Sequence, residues 1–413
     1  MALIQPTDFN LFLPGVMDDP YPAYRELRER AAVHVNEQTG AHYLARYQDV
    51  AALGRDPRKL VRGATITGLF EEHRGTGLHR MIRTNLFALD EPDHGRLKSL
   101  ISKAFFRPRI GELVPRIEEI CGRLLDEAEL DPSGGTFDLI RTLGYPMPFQ
   151  VICELLGIEP EDRQPFLAWT RKVLPLVDPF PTAEDTKAAI DGGGQFDGYL
   201  TAVIGERRRL LRAGRAVQPG LITDLVAVAE EDGARLSEEE LTATVFTVLV
   251  AGFENVTNLI SNTMRALCEN PGQAAALRRE PHLVENLADE ALRYYSTTQY
   301  NPREAAEEIE VDGVTIPKGA FVVLLRGAAN RDDRQFPEPD RFDLRRLNSA
   351  THVGFGEGPT FCTGAALTRV EVQIAFRELF RRFGEFRIAR LDLGPTKLFW
   401  GPRAIEVEYA RAT

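Results

Sequence analysis

Apolar residues recur every three to four positions along most of this chain, which is the spacing of amphipathic helices. This period predicts helices over residues 19–30, 48–54, 93–106, 110–127, 144–156, 271–279 and 283–295. Two more helices are predicted within residues 161–214, separated by the Pro- and Gly-containing breakers at residues 178–181 and 191–194. Residues 62–88 show no clear period and are predicted to be irregular.

A capping box marks the start of the longest predicted helix. Ser237 stands three positions before Glu240, so each side chain can bond the other residue's backbone N–H group. The helical pattern then continues to about residue 270, a length of about 50 Å.

Strand patterns are short and grouped. They are predicted at residues 306–311, 314–316 and 321–325, in a C-terminal pair at 386–389 and 404–409, and in a hairpin within residues 32–47. The chain is therefore predicted to be mainly α with a minor β region.

Composition and charge narrow the class of protein. The chain has 413 residues and no linker, repeat or low-complexity stretch, so we expect one domain over residues 1–413. A net charge of −11 argues against a nucleic-acid partner. No apolar run reaches the roughly 18–20 residues that span a bilayer, and the N-terminus lacks a signal-peptide pattern. Four widely spaced cysteines show no disulfide framework, so we expect a cytoplasmic protein, and we expect it to be a monomer.

The most informative residue is Cys362, which lies among glycines immediately before a predicted helix. Backbone N–H groups can approach a sulfur closely beside glycine, and a helix N-terminus favours negative charge. A single anionic sulfur without Cys or His partners does not make a tetrahedral zinc site, whereas it suits an axial ligand of haem iron. The alternative is a buried cysteine in a glycine-rich turn.

The stretch from Phe355 to Gly364 fits the pattern F-G-x-G-x-x-x-C-x-G, and the chain resembles the cytochrome P450 family over nearly its whole length. The resemblance implies the cytochrome P450 fold, with a haem-binding core at about residues 90–130 and 237–385. It implies haem b as cofactor, Cys362 as the iron ligand, and Phe355 and Gly364 as neighbours of the haem.

Further motifs match the same family. Glu290 and Arg293 resemble its E-x-x-R motif, and Arg341 matches the arginine that completes a buried network with them. His94, Arg96 and Arg303 resemble residues that bind the haem propionates. One position departs from the family: Thr360 stands where members usually carry His or Arg, so a charge-assisted contact to a propionate is lost or replaced.

The long helix carries the segment from Ala251 to Thr257, which resembles the family's A-G-x-D/E-T signature. Ala251 and Gly252 are small enough for close approach to a flat cofactor. Glu254 takes the acid position, but Asn255 replaces the threonine that delivers protons during O2 activation, and the nearest alcohol, Thr257, lies on another face. Glu254, Asn255 and Thr257 are the candidate catalytic residues. Either Asn255 orients water and hydroxylation proceeds, or the substrate itself helps to deliver protons, or the chemistry is atypical, such as oxidative coupling, desaturation or rearrangement.

The resemblance implies a monooxygenase that inserts one oxygen atom of O2 into a mid-sized, largely apolar organic molecule in bacterial secondary metabolism or catabolism. Electrons would come from NAD(P)H through a ferredoxin or flavodoxin and its reductase. A non-enzymatic haem carrier or gas sensor is the remaining alternative. Candidate substrate contacts are Phe87, Leu249, Val250, Phe253, Thr297, Thr298 and Phe399.

Overall fold

The computed structural model describes residues 5–11, 15–62, 73–128, 130, 134–177, 181–231, 236–393 and 399–411, with the backbone alone for residues 5, 6, 177 and 411. Helices dominate these ranges and the strands are short. The prediction of a mainly α protein with a minor β region is confirmed.

The α-helices follow the amphipathic segments of the sequence. They are Tyr21–Arg30, Tyr47–Gly54, Gly77–Arg83, Asp93–Ser102, Arg107–Glu127, Pro146–Leu156, Arg163–Val173, Ala183–Arg212, Leu221–Glu231, Glu238–Glu269, Pro271–Arg279, Leu287–Tyr294, Arg326–Ala329 and Ala365–Arg382. A π-helix at Ile140–Gly144 and 3-10 turns at Pro160–Asp162, Leu174–Val177, Pro281–Asn286, Ser349–Thr351 and Gly358–Thr360 connect some of them.

The strands form three sheets. They are β1 (Gln5–Thr7), β2 (Val33–Asn36), β3 (His42–Leu44), β4 (Leu60–Val61), β5 (Gly134–Asp138), β6 (Asn301–Ala305), β7 (Ile309–Val311), β8 (Val314–Ile316), β9 (Phe321–Leu324), β10 (Phe383–Asp392) and β11 (Ala404–Arg411). The largest sheet has the order β1-β2-β3-β9-β6-β4, and the others are β10-β11-β5 and the pair β7-β8. The sequence indicated the hairpins but not β1, β4, β5 or β6.

The chain folds into two compact units. One comprises Met1–Val61, Val114–Met147 and Glu254–Thr413, and the other comprises Arg62–Leu113 and Pro148–Phe253. All three sheets belong to the first unit. There, one face of the largest sheet packs into an apolar core that includes Val33, Leu44, Val322 and Leu324. The single-domain organisation stays a prediction.

The helix Glu238–Glu269, called the long helix below, begins at the predicted capping box. The Ser237 Oγ accepts from the Glu240 amide at 3.3 Å, and the Ser237 amide donates to the Glu240 carboxylate at 2.9 Å. Within the described ranges, this is the one helix long and apolar enough to cross a membrane. However, 78% of its apolar window is buried, which is typical of a core helix.

The predicted break at residues 191–194 is wrong, because the helix Ala183–Arg212 runs through it. A side chain on Gly192 would lie 2.8 Å from the Lys172 Cβ, and one on Gly193 would lie 2.7 Å from the Leu78 Cβ. These two glycines therefore allow close helix packing, and that contact offsets their poor helix propensity. Of the other predicted break, residues 178–180 lie outside the described residues.

The prediction that residues 62–88 are irregular is wrong in part. The helix Gly77–Arg83 lies within this segment, and the Thr76 hydroxyl caps it by accepting from the His79 amide at 3.1 Å. The cap was visible in the sequence, but the helix is too short to show a clear period. Residues 63–72 of this segment lie outside the described residues.

Candidate active site

The loop from Phe355 to Gly364, called the cysteine loop below, folds back on itself. The Cys362 amide donates to the Phe355 carbonyl oxygen at 2.7 Å. Gly356 and Gly358 have φ angles of 82° and 53°, which L-residues rarely adopt. A side chain at Gly358 would also lie 2.8 Å from the Arg55 Cα. Glycine is therefore required at both positions to bring Cys362 to the start of the helix Ala365–Arg382.

Cys362 differs from the other cysteines of the chain in its surroundings. Burial raises the thiol pKa of Cys121, Cys153 and Cys268 to about 12, so these three stay neutral thiols. Cys362 is half-buried and lies two residues before Gly364, which caps the helix Ala365–Arg382. The positive end of that helix favours a thiolate. Cys362 is thus the cysteine best suited to bind a metal.

Charged and aromatic side chains pack around the cysteine loop and hold it in place. The Arg369 guanidinium lies 4.7 Å from the centre of the Phe355 ring and donates to Asp289 at 2.7 Å. His352 contacts the same carboxylate at 3.1 Å. Burial alone would raise the pKa of Asp289, but the bonds from His352 and Arg369 outweigh it and lower that pKa to about 2. Asp289 therefore remains ionised and links its helix to the two residues, His352 and Arg369, that flank the cysteine loop.

Glu290 and Arg293 form a fully buried, two-point ion pair. Arg293 donates from Nε at 2.8 Å and from Nη2 at 2.9 Å, and both side chains are 0% exposed. Burial lowers the pKa of Arg293, and the Glu290 carboxylate opposes that shift. This confirms the predicted pairing of these two residues.

The predicted third member of this network, Arg341, is wrong. Its guanidinium is 56% exposed and pairs with Glu338 at 3.2 Å, and only its carbonyl oxygen accepts from Arg293. Arg346 contacts Glu290 instead, at 3.3 Å, with an 8% exposed side chain. The segment between the two arginines turns so that the later one points inward, which the sequence motif alone did not indicate.

Arg303, a predicted propionate ligand in the first unit, is buried on β6. Its Nη1 donates to the Asn301 Oδ1 at 2.6 Å and to the Pro302 carbonyl oxygen at 2.7 Å. These contacts hold the guanidinium close to its own strand. The Thr360 hydroxyl donates to the Glu357 carbonyl oxygen at 3.0 Å, so this side chain is used within the local turn.

His94 and Arg96, the other two predicted propionate ligands, have protein partners within the second unit. The His94 Nδ1 lies 3.1 Å from a Glu91 oxygen, and burial and then the Arg62 charge lower its pKa, which favours the neutral ring. Arg96 donates to Asp93 at 2.8 Å and also pairs with Glu240. The bonds from Glu240 and Asp93 raise the pKa of Arg96, so it remains a cation.

The long helix presents small and polar residues at its middle. Gly252 allows close packing, since a side chain there would lie 2.6 Å from the Ile152 Cδ1. Ala251, Gly252, Glu254 and Asn255 are half-buried, whereas Phe253 and Val256 between and beyond them are buried. Thr257 is 3% exposed, and its part in proton delivery stays a prediction.

Asn255 has an unsatisfied buried atom. Within the described residues, its Oδ1 is buried and accepts no hydrogen bond. Buried amide oxygens nearly always have a donor, so this atom is suited to a bound water or ligand. Together with a thiolate candidate at Cys362 and a buried cation at Arg303, the residues present fit a haem group.

Three of the predicted substrate contacts lie together in the first unit. Thr298 and Phe399 form an antiparallel bridge, and the Trp400 amide donates to the Thr297 carbonyl oxygen at 2.6 Å. The Asn258 side chain donates to the Phe399 carbonyl oxygen at 3.3 Å. Sequence reasoning missed Asn258, although a polar residue on a buried helix was a visible signal.

The remaining candidates lie in the second unit. Leu249, Val250 and Phe253 are buried, and the Phe253 ring packs edge-on against Phe149 with ring centres 5.7 Å apart. Phe87 is 46% exposed. As substrate contacts, these four residues stay predictions.

Comparisons with known proteins agree with the geometry of the cysteine loop. A family model described as cytochrome P450 matches residues 32–392. Cytochrome P450 107B1 of Saccharopolyspora erythraea is 37% identical over 403 residues, which cover 95% of this chain and 94% of that protein. The vitamin D(3) 25-hydroxylase of Pseudonocardia autotrophica is 39% identical over 383 residues, which cover 92% and 90%.

A solved structure agrees as well. The crystal structure of CalO2 has a TM-score of 0.89 and 28% identity, and the match covers 98% of this chain and 99% of that one. Sequence relatives and fold thus lead to the same family that the cysteine loop indicated. The chain belongs to the cytochrome P450 family of haem-containing monooxygenases.

Proposed function

We propose that this protein is a haem-thiolate monooxygenase in which Cys362 binds the iron of haem b. It inserts one oxygen atom of O2 into a mid-sized, largely apolar organic substrate. The observation that carries the proposal is the cysteine loop, because its two positive-φ glycines and the Cys362 amide bond hold one half-buried sulfur before a helix. The haem supplies the oxidising chemistry when bound, and the thiolate increases the electron density at its iron.

The chain's own residues hold the cofactor and manage protons in this proposal. Arg303 neutralises propionate charge, and the family pattern assigns the same task to His94 and Arg96. Phe355 and Gly364 lie near the sulfur as neighbours of the haem. Ala251 and Gly252 are small, so the haem can approach the long helix closely. Glu254 and Asn255 hold water for proton delivery, which the unsatisfied Oδ1 of Asn255 supports.

The substrate class rests on apolar side chains and on the relatives. Thr297, Thr298 and Phe399 form one proposed part of the pocket, and Phe87, Leu249, Val250 and Phe253 are the other candidates. A relative named as a vitamin D(3) 25-hydroxylase supports hydroxylation of a largely apolar molecule. We propose a role in bacterial secondary metabolism or catabolism.

We propose that electrons come from a separate redox partner, since bacterial members of the family use redox partners. We propose NAD(P)H as their source and a ferredoxin or flavodoxin, with its reductase, as the carrier. The protein acts as a cytoplasmic monomer in this proposal. The burial of the long helix supports its role as a core helix rather than a membrane span.

The test is turnover in labelled dioxygen. A compound library is first screened for molecules that shift the haem spectrum, since a fitting substrate changes the surroundings of the iron. With such a compound, ¹⁸O₂ and electron donors, we expect one labelled oxygen atom in the product by mass spectrometry. Turnover that leaves no label in the product contradicts monooxygenation and supports coupling or desaturation.

The presence of Asn255 in place of the family's threonine favours the alternative, which is an atypical reaction such as oxidative coupling, desaturation or rearrangement. In the hydroxylation reading, Asn255→Ala removes the amide that orients water, so several-fold more of the electrons consumed end as hydrogen peroxide. Asn255→Thr restores a hydroxyl at this position and keeps that loss near the level of the unmodified protein. The ratio of peroxide to product measures both.

Asn270→Ala, just beyond the end of the long helix, is the matched control, because among the described residues the side-chain amide of Asn270 donates only to the Ala266 carbonyl oxygen. It leaves the ratio unchanged. If Asn255→Ala also leaves the ratio unchanged, Asn255 has no role in proton delivery, and substrate-assisted or atypical chemistry becomes the better proposal.

A further inference from the structure

We propose that Arg326 binds a haem propionate and supplies the positive charge that Thr360 lacks, while Glu357 holds the Arg326 guanidinium in place. This inference rests on the proposed function, because it requires a bound haem. It concerns residues of the first unit alone.

The backbone places Arg326 beside the strand that carries Arg303. Arg326 begins the short helix Arg326–Ala329, two residues after β9 ends at Leu324. β9 pairs with β6, in the register of Arg303 with Val322 and of Asn301 with Leu324. The Gly327 amide then donates to the Gln299 carbonyl oxygen at 3.0 Å, which continues the pairing beyond the sheet. The two arginines are therefore on adjacent stretches of chain.

The Arg326 side chain lies against the cysteine loop. A side chain on Gly356 would start 3.2 Å from the Arg326 Nη2 and 2.9 Å from the Thr360 carbonyl oxygen. The guanidinium and the backbone of Thr360 thus border the same small space, which only glycine leaves open. Arg326 thus brings a positive charge close to the backbone of Thr360, whose own side chain is neutral.

Arg326 and Glu357 form a buried ion pair with unused bonding capacity. The Arg326 Nη2 donates to the Glu357 Oε2 at 2.9 Å, with side chains that are 10% and 2% exposed. In the part of the chain that the structure describes, the buried Arg326 Nε and the buried Glu357 Oε1 make no hydrogen bond. Leaving a buried charged group with unmade bonds is costly, so the guanidinium is suited to a further anionic acceptor.

A carboxylate is the acceptor that best matches a guanidinium, because its two oxygens align with two N–H groups. The haem propionates are carboxylates, and the family residue that Thr360 replaces is a cation. Glu357 compensates for the altered loop twice: its carboxylate pairs with Arg326, and its carbonyl oxygen accepts from the Thr360 hydroxyl at 3.0 Å. The same loop residue thereby contacts both the Arg326 and the Thr360 side chains.

The first test measures haem release from the holoprotein to excess apomyoglobin, which needs no turnover. Arg326→Gln removes the charge, and we expect release to be about tenfold faster, equivalent to about 1.4 kcal/mol. The iron also becomes harder to reduce, since a positive charge near it is gone. Arg334→Gln is the matched control: Arg334 is on the same segment, is 49% exposed and pairs with Asp332. Its haem release stays at the unmodified rate.

The second test separates propionate binding from a purely structural clamp. Adding Thr360→His to Arg326→Gln restores a family-type propionate partner, so slow haem release returns. A clamp between Arg326 and Glu357 is not restored by that change. If Arg326→Gln fails to fold, Arg326→Gln with Glu357→Gln removes both buried charges together, which folded proteins tolerate better. Haem release from this double variant is again faster, and Thr360→His again slows it.

The inference is overturned if Arg326→Gln releases haem at the unmodified rate, or if Thr360→His leaves faster release unchanged. Failure of the proposed function looks different. In that case the unmodified protein itself lacks the reduced carbon-monoxide spectrum of a thiolate-bound haem, whatever residue stands at position 326.

Discussion

Replacing Cys362 with Ser abolishes the red-shifted Soret band that the reduced carbon-monoxide complex of a haem-thiolate protein shows. An alcohol at this position stays protonated near neutral pH, whereas a cysteine thiol beside a helix N-terminus readily forms a thiolate. The serine variant still offers the same glycine-rich loop, so it can retain haem without the thiolate ligand. Absorption spectroscopy of the purified, reduced protein under carbon monoxide measures the result, and monooxygenase turnover is lost with the band.

Cys268→Ser is the matched control for this substitution. Cys268 is also half-buried, but burial raises its thiol pKa to about 12, so it supplies no thiolate near neutral pH. Its serine variant keeps the red-shifted band. A Cys362→Ser protein that keeps the band shows that another residue binds the iron, and the proposed function is then wrong.

Replacing Arg293 with Ala destabilises the protein by about 3–5 kcal/mol, because it leaves the buried Glu290 carboxylate without its main partner. Both side chains are 0% exposed, so the remaining carboxylate lies in the protein interior, with Arg346 as its remaining cationic partner. Urea unfolding of the holoprotein, followed by circular dichroism and haem absorbance, measures the change as a lower midpoint. An Arg293→Ala protein that expresses poorly or loses haem during purification agrees with the same expectation.

Two other arginines test the corrected network. Arg346→Ala removes the second cation that contacts Glu290, so we expect a loss of about 1–3 kcal/mol. Arg341→Ala removes an exposed pair with Glu338 and changes stability by less than about 1 kcal/mol. If Arg341→Ala is the more destabilising of the two, the sequence motif was right and the assignment of Arg346 is wrong.

The local motifs were read correctly from the sequence because their parts are close along the chain. Ser237 and Glu240 form the predicted capping box, and Glu290 pairs with Arg293 one helical turn later. The cysteine loop is also local, since the Cys362 amide bonds within the same ten-residue stretch, to Phe355. Spacing and residue type suffice for such contacts, and for the family that they indicate.

The glycines at positions 192 and 193 show where this reading failed. In the sequence they are helix breakers, but in the structure they allow Lys172 and Leu78 to pack closely against the helix Ala183–Arg212. Whether a glycine breaks a helix or allows close packing depends on the residue that packs against it. That neighbour comes from elsewhere in the chain, so the pattern of glycines alone predicts a break and a close contact equally well.

By itself, the sequence determined the cytochrome P450 family, the mainly helical fold and Cys362 as the candidate iron ligand, because each depends on a local pattern. Only the tertiary structure decided that Arg346 joins Glu290 across 56 positions and that Arg326 meets Glu357 across 31. Arg341 and Arg346 lie five positions apart, yet only the Arg346 guanidinium contacts Glu290. The path of the backbone through the strands and turns decides which arginine contacts the carboxylate. The spacing of residues in the sequence does not show that path.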